Sequence, residues 1–146
     1  MRVLITGITG FVGSYLAEYA LGQNAEVFGS IKWRSKTDNI THMTDRLNLI
    51  ECDLKDPLSV NMLVKETRPD AVFHLAAQSF VPTSWHAPGE TLSNNIMSQV
   101  NLFEAIRSNE INSSVMVAGS SEEYGLVMAD ELPAKESSPL RPLSPY

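Results

Sequence analysis

The feature that most constrains this chain is a glycine-rich turn that directly follows an apolar run close to residue 1. Val3-Leu4-Ile5 leads into glycines at positions 7, 10 and 13, and an amphipathic stretch follows. This order predicts a buried strand, a tight turn and a helix whose N-terminus offers free N–H groups to a phosphate. The turn therefore favours nucleotide binding over an ordinary strand–helix connection. Its G-x-x-G-x-x-G spacing departs from the commoner G-x-G-x-x-G pattern, so the rest of the chain must support it.

The remainder of the chain alternates predicted strands and helices. Further strands are expected at Glu26–Ile31, Leu47–Cys52, Ala71–Leu75 and Ser114–Ala118. Helices are expected with apolar positions Val12, Leu16, Tyr19 and Ala20, then Val60, Leu63 and Val64 after Asp56-Pro57, then Leu92, Ile96, Val100, Phe103 and Ile106. The connection Lys32–Arg46 is expected to be partly helical around Asn39–Thr44, whereas Ala76–Pro88 and residues 120–146 are expected to be mainly loop. The predicted fold class is α/β, with a Rossmann-like, doubly wound parallel sheet.

The chemically interesting residues follow the predicted strands. Gly7, Ile31-Lys32, Asp53, Ala76-Ala77 and Gly119-Ser120 occupy these positions. Because such sheets bind ligands beyond the carboxyl ends of their strands, we expect these residues to form one site.

The end of the second strand bears on the choice of dinucleotide. An acid that binds the ribose is expected there for NAD, but the chain has Lys32, then Arg34 and Ser35. A guanidinium and a hydroxyl suit a 2′-phosphate, so we expect NADP, with NAD as the alternative. Lys32 and Arg34 could instead be a solvated basic loop. Asp53 could accept a hydrogen bond from adenine or cap the helix that begins near Pro57.

Charge and composition narrow the class of partner. The 146 residues suit one globular domain, and a net charge of −6 argues against nucleic acid. No apolar run approaches the roughly 20 residues of a membrane span, and the first apolar stretch is too short for a signal peptide. The one cysteine, Cys52, is expected to be a buried thiol, in keeping with a cytoplasmic location. No metal-ligand spacing occurs, and His74 is expected to be a core histidine.

Candidate catalytic groups lie late in the chain. The fifth predicted strand runs into Gly119-Ser120-Ser121-Glu122-Glu123-Tyr124-Gly125, and Ser144-Pro145-Tyr146 follows. A hydroxyl, a carboxylate and a phenol at one sheet edge would suit proton transfer beside a hydride acceptor. Spacing alone does not show that these groups converge.

Taken together, these motifs resemble the extended short-chain dehydrogenases/reductases that act on nucleotide sugars. The resemblance rests on Gly7–Gly13, Asp53-Leu54, His74–Ser79 and the final Ser-Pro-Tyr. Three further segments, Ile31–Ser35, Gln78–Trp85 and Ser121–Gly125, look closest to GDP-mannose 4,6-dehydratases, and next to GDP-4-keto-6-deoxy-mannose reductases.

The resemblance implies roles for particular residues. Tyr146 would take the proton of the sugar 4-hydroxyl as hydride leaves C4, Ser120 would bind the same oxygen, and Glu122 would remove the C5 proton. Substrate contacts are implied for Ser79, Ser84 and Glu122, and a structural role for Asn95. The implied cofactor-binding residues are Gly7, Thr9, Gly10, Phe11, Val12, Gly13, Arg34, Ser35, Asp53, Leu54, Leu75, Ala76, Ala77 and Tyr146.

The resemblance also implies an organisation and a reaction. Residues 1–146 would be an incomplete NADP-binding domain, and the lysine of the family's Tyr-x-x-x-Lys motif, a last strand and a C-terminal substrate domain would lie beyond it. We therefore expect these residues alone to bind the cofactor weakly if at all and not to turn over. The expected reaction is dehydration of a GDP-hexose by a homo-oligomeric enzyme. A reductase, an epimerase and a non-catalytic dinucleotide-binding module are the alternatives.

Overall fold

Five parallel strands form a single sheet in the computed structural model, which describes residues 1–146. The strands are β1 (Arg2–Thr6), β2 (Glu26–Ile31), β3 (Asn48–Glu51), β4 (Ala71–His74) and β5 (Ser114–Val117), in the order β3-β2-β1-β4-β5. Thr6 pairs with Ser30 of β2 and His74 of β4, so the carboxyl ends of the three central strands are level. The predicted α/β class is confirmed, and the strands are at most one residue longer or shorter at either end than expected.

Helices cover both faces of the sheet. The α-helices are α1 (Phe11–Gly22), α2 (Pro57–Thr67), α3 (Val81–His86) and α4 (Pro88–Ser108). Short 3₁₀ helices span Asp38–Arg46, Ser121–Glu123 and Ala129–Glu131. Because side chains alternate along a strand, Leu4 packs in the core beneath α2 and α4, whereas Val3 and Ile5 pack beneath α1 and the first 3₁₀ helix. The sheet is therefore doubly wound, as predicted.

The start of α2 excludes one of the two interpretations of Asp53. The Asp56 carboxylate accepts hydrogen bonds from the N–H groups of Leu58 at 2.8 Å and Ser59 at 3.0 Å, so Asp56 is the N-cap. Asp53 instead accepts from the N–H of Lys55 at 3.0 Å. The suggestion that Asp53 caps this helix was wrong.

The apolar face predicted for α1 is confirmed at two positions and corrected at two. Ala20 is buried and Leu16 packs against the core, whereas Val12 and Tyr19 are 59% and 66% exposed. The buried positions of the helix hold small residues, namely Gly13, Ser14, Ala17 and Ala20, because the helix lies close to the sheet.

In α4 the helix is confirmed, but four of its five predicted apolar positions are exposed. Ile106 is buried, whereas Leu92, Ile96, Val100 and Phe103 are between 42% and 54% exposed and form an apolar stripe along the outer face. Polar residues help to hold the buried face of the helix in place. The Asn101 side-chain amide, for example, donates to the Leu54 carbonyl at 3.0 Å. The hydrophobic spacing therefore predicted the helix correctly but did not predict which of its faces packs on the sheet.

The connections contain one helix that was not expected. Residues Ala76–Pro88 were predicted to be loop, yet α3 occupies Val81–His86 with Pro82 in its first turn. The connection around Asn39–Thr44 is helical, as predicted. No helix has the length and apolar character needed to cross a membrane.

Candidate dinucleotide site and sheet-edge cavity

The glycine turn joins β1 to α1 in a conformation that two of its glycines make possible. Gly7 has a φ of +72°, and a Cβ there would lie 2.9 Å from the Ala76 nitrogen. A Cβ on Gly13 would overlap the Gly7 carbonyl oxygen. Both positions therefore require glycine, one to turn the chain and one to bring the helix close.

The first turn of α1 presents unpaired backbone donors to the sheet edge. Gly10 donates to the Gly7 carbonyl and accepts from Ser14, each at 3.0 Å. The N–H groups of Phe11, Val12 and Gly13 have no backbone acceptor, and no side chain caps this helix. The first turn also lacks acidic residues. Such a helix start is suited to holding an anion, phosphate included.

A cavity of about 480 Å³ opens from these donors across the carboxyl ends of the strands. We call it the glycine-turn cavity. Its lining residues are Gly7, Thr9, Gly10, Phe11, Val12, Gly13, Ser30, Ile31, Lys32, Ser35, Cys52, Leu54, Leu75, Ala76, Ala77, Ser79, Asn94 and Ser98. All the predicted cofactor-binding residues line it except Arg34, Asp53 and Tyr146.

Four residues that line the cavity were not assigned to the site from the sequence: Ser30, Cys52, Asn94 and Ser98. Asn94 accepts a hydrogen bond from Lys32 Nζ at 3.2 Å, which ties the end of β2 to α4. The Ser35 hydroxyl accepts from the Lys32 N–H at 3.0 Å. Arg34 has a φ of +60°, is exposed and does not line the cavity. The hydrophobic period of α4 could not predict that Asn94 and Ser98 line the cavity, because the apolar residues that define this period lie on a different face of the helix.

His74 belongs to a buried hydrogen-bonded cluster beneath the cavity. Thr6 Oγ1 accepts from the N–H groups of Leu75 and Ala76, each at 3.1 Å, and lies 2.8 Å from His74 Nδ1. Since Oγ1 already accepts twice, its own proton is directed to Nδ1, and the ring proton resides on Nε2, 3.5 Å from Ser98 Oγ. Burial lowers the pKa of His74. His74 is therefore buried and hydrogen-bonded, as expected of a core histidine, and it also borders the second cavity described below.

The half-buried side-chain amide of Asn95 fixes the loop that follows β4. The Asn95 side chain accepts from the Gln78 N–H at 2.8 Å and donates to the Gln78 carbonyl at 3.1 Å. The Asn95 side chain thus bonds both backbone groups of Gln78, as a neighbouring strand would, and holds the loop against α4. The structural role expected for Asn95 is confirmed.

The second cavity, of about 670 Å³, brings together the three residues whose convergence the sequence left open. Ser120, Glu122 and Tyr146 all line this sheet-edge cavity. Five residues line both cavities, which are therefore continuous: Val12, Leu75, Ala76, Ala77 and Ser79. Ser79 thus lies where the two cavities meet.

Other predicted site residues lie elsewhere. Ser84 is fully buried in α3, where its hydroxyl donates to the Val81 carbonyl at 2.7 Å, and it lines neither cavity. Cys52 is 2% exposed, and burial raises its pKa, so it is the buried thiol that was expected. No three His, Cys, Asp or Glu side chains lie close enough together to hold a metal ion.

Comparison with known proteins identifies sequence relatives of this chain. The family model described as GDP-mannose 4,6 dehydratase matches residues 4–146. GDP-mannose 4,6-dehydratase of Yersinia enterocolitica is 40% identical over 99% of this chain and 41% of its own length. GDP-mannose 4,6 dehydratase 2 of Arabidopsis thaliana is 38% identical over 98% of this chain and 41% of its own. The chain spans about two fifths of the length of these curated relatives.

Solved structures share the fold. UDP-glucose 4-epimerase of Thermus thermophilus, solved in complex with NAD, is 34% identical with a TM-score of 0.87 over 100% of this chain and 46% of its own. UDP-glucose-4-epimerase of Stenotrophomonas maltophila, solved with bound NAD and formylated UDP-arabinopyranose, is 25% identical with a TM-score of 0.88 over 100% of this chain and 44% of its own. The Rossmann-like prediction is confirmed.

Proposed function

Since this chain belongs to the GDP-mannose 4,6-dehydratase family, we propose that it forms the NADP-binding part of an enzyme that dehydrates GDP-mannose. The observation that carries the proposal is the position of Ser120, Glu122 and Tyr146 around one cavity that continues into the glycine-turn cavity. A hydroxyl, a carboxylate and a phenol therefore adjoin the surface suited to a dinucleotide. Such a set is what oxidation followed by elimination requires.

The glycine-turn cavity supports the dinucleotide part of the proposal. The N–H groups of Phe11, Val12 and Gly13 would hold the pyrophosphate, and the absence of a side chain at Gly10 leaves the approach to them open. NADP is proposed over NAD because Lys32, Arg34 and Ser35 follow β2. An acidic residue at this position would repel the 2′-phosphate of NADP, and none is present. The epimerases of similar fold were solved with NAD, so NAD remains the alternative.

In the proposed reaction, Tyr146 and Ser120 act on the same oxygen. The Tyr146 phenolate accepts the proton of the sugar 4-hydroxyl, while the Ser120 hydroxyl donates a hydrogen bond to that oxygen and holds it in place. The Ser120 hydroxyl also accepts from the Glu122 N–H at 3.2 Å, which sets its orientation. NADP, when bound, supplies the acceptor for the C4 hydride and later the donor for C6.

Glu122 distinguishes dehydration from simpler reactions. Its carboxylate would remove the proton from C5, which the neighbouring 4-keto group makes acidic, so that the 6-hydroxyl leaves as water. An epimerase or a keto-reductase does not need this elimination step. The fold shared with UDP-sugar epimerases makes epimerisation the second candidate, whereas a purely binding module would have no use for the three residues.

We further propose a homo-oligomer and a cytoplasmic location. The apolar stripe of α4 (Leu92, Ile96, Val100 and Phe103) is exposed on the outer face of the helix, as a subunit interface would be before assembly. The one cysteine is a free thiol, which suits a reducing compartment.

A chimera tests the function. Residues 1–146 replace the aligned region of the Vibrio cholerae GDP-mannose 4,6-dehydratase, which is 39% identical to this chain, and the product of GDP-mannose with NADP is identified by mass. We expect the 4-keto-6-deoxy product and its loss in Glu122→Gln, with Glu136→Gln as the matched control in an exposed loop. Epimerised GDP-hexose with no loss of water, or unchanged dehydration in Glu122→Gln, would overturn the assignment.

The cofactor preference is tested separately. Arg34→Ala in the same chimera should reduce the preference for NADP over NAD by about tenfold, because it removes a charged phosphate contact. Arg46→Ala, at the end of the following 3₁₀ helix, is the matched control. An unchanged ratio of the two kcat/KM values would exclude Arg34 from the clamp.

A further inference from the structure

A two-pronged ion pair lies beside the sheet-edge cavity, and no step of the proposed reaction uses it. Arg141 donates from Nη1 to Glu131 Oε2 and from Nη2 to Glu131 Oε1, each at 2.7 Å. Nη1 also donates to the Leu126 carbonyl at 3.0 Å, and Glu131 accepts from the Met128 N–H at 2.9 Å. Such a pair fixes the orientation of both side chains as well as their distance.

The backbone next to the pair forms an equally specific contact. Arg141 donates its N–H to the Tyr124 carbonyl at 3.2 Å and accepts at its carbonyl from the Leu126 N–H at 3.1 Å. Gly125 lies between them with a φ of +55°, and a Cβ there would overlap the Arg141 carbonyl. We call the Glu131–Arg141 pair and this backbone bridge the clip.

The clip joins the two sides of the sheet-edge cavity. Ser120 and Glu122 precede the bridge on one side, while Leu140 and Pro142 flank Arg141 and line the cavity on the other. The chain then runs on to Tyr146, and residues 142–146 make no backbone hydrogen bond. Arg141 is therefore the last residue before Tyr146 that is held by specific backbone bonds.

We propose that Glu131 and Arg141 are positioning residues, which set Tyr146 against Ser120 and Glu122. This inference rests on the proposed function, because it takes the proton acceptor to be Tyr146. The two side chains are 29% and 39% exposed, so the pair lies in the surface and reaches the cavity only through the segment that it anchors. Neither residue lines the cavity itself.

The test uses the 146-residue chain with its four tyrosines labelled at the ring Cζ carbon. In Glu131→Gln and in Arg141→Lys, the amides of Leu126 and Arg141 should exchange about three to ten times faster, because the bridge opens more often. The Tyr146 carbon signal should move toward the random-coil position. The signals of Tyr15 and Tyr19 in α1 should stay fixed.

Arg107→Lys is the matched control. Arg107 forms a two-pronged pair with Glu104 on the outside of α4, remote from the cavity. This substitution should leave the Tyr146 signal and the two bridge amides unchanged. Unchanged amide protection of Leu4 and Val27 in every variant would show that the sheet is intact.

The proposal is overturned if either clip variant opens the bridge while the Tyr146 carbon signal stays as in the unsubstituted chain. It is equally overturned if neither variant changes the exchange of the bridge amides. Both readings are made without cofactor or substrate, so they do not depend on dehydratase activity. Failure of the chimera with an intact clip response would reject the proposed function alone.

Discussion

The two cavities share one edge of the sheet but have walls of opposite character. The wall of the glycine-turn cavity, which we call the inner wall, is formed by the ends of β1, β2 and β4 and by α1, with buried side chains behind it. The outer wall of the sheet-edge cavity is residues 119–146, which contain two 3₁₀ turns and no buried residue. Global folding therefore maintains the first wall, whereas local contacts maintain the second, and the two should respond differently to similar substitutions.

Gly13→Ala should have the largest effect. The added Cβ would overlap the Gly7 carbonyl, and neither backbone segment can move without separating α1 from the sheet. We expect a loss of about 2–4 kcal/mol in the free energy of unfolding, measured in urea. Gly22→Ala in the same helix is the control, because a Cβ there meets nothing within 4 Å. Equal stability of the two variants would show that the close packing is not needed.

Thr6→Val should rank second. The change leaves the half-buried N–H of Ala76 without its acceptor, removes the hydroxyl partner of His74, and leaves the N–H of Leu75 only the Thr6 carbonyl at 3.3 Å, at a cost of about 2 kcal/mol. Thr67→Val is the matched control: Thr67 is as buried, but its hydroxyl only donates to the Leu63 carbonyl within α2. The control should lose less than about 1 kcal/mol in the same urea titration. A larger loss at Thr67 would contradict the importance given to the cluster.

The stability of the inner wall should also depend on pH through His74. Burial lowers its folded pKa below the ordinary 6.5, so below that pH the unfolded chain binds a proton that the folded chain does not. Stability should fall as the pH drops through 6.5 toward the folded pKa, with a slope of at most about 1.4 kcal/mol per pH unit. His74→Gln should remove this part of the slope. His42→Gln, at an exposed histidine, should keep it.

In the outer wall, a glycine-to-alanine substitution like Gly13→Ala should change only the local structure. Gly125→Ala would place a Cβ into the Arg141 carbonyl, yet no core residue lies beside it. We expect less than about 1 kcal/mol of lost global stability, together with faster amide exchange at Leu126 and Arg141. A global loss as large as that of Gly13→Ala would abolish the distinction between the two walls.

Acid should open the outer wall with the smallest change in the free energy of unfolding among these predictions. The Arg141 guanidinium and the Met128 N–H lower the pKa of Glu131 to about 2, from an ordinary 4.5. The contribution of this carboxylate to the clip is complete above pH 4.5 and is lost as the pH falls from 4.5 through about 2. Carboxyl-carbon NMR of Glu131 checks this. A midpoint near 4.5 would mean that the pair does not persist in solution.

The inner wall was the more predictable of the two from sequence. Strand β2 has the expected bounds, and the glycine spacing identified the turn that lines one side of the cavity, because backbone conformation and close packing demand glycine there. The strand ends located Ile31, Lys32, Ala76 and Ala77 of the same lining. The buried faces of α1 and α4 were not predictable from hydrophobic period. Small side chains such as Ala17 and polar ones such as Asn101 occupy those faces, and only the tertiary contacts select them.

The outer wall could be predicted only in part. Ser120, Glu122 and Tyr146 were identified through family resemblance, while their convergence depends on the contact between Gly125 and Arg141. A contact between loops sixteen residues apart leaves no periodic signal in a sequence. The resemblance also marked Ser84, which the structure places in the buried face of α3.

The most direct test of the central claim is an NMR titration of the 146-residue chain with NADP, followed at the backbone amides. We expect the amide signals of Phe11, Val12, Gly13 and Ser35 to shift together, even if the affinity is low, while those of Leu126 and Arg141 stay in place. NAD should produce the same shifts at higher concentration. Shifts confined to residues 119–146, or none at the glycine turn with millimolar NADP and NAD, would contradict a dinucleotide site at the glycine turn.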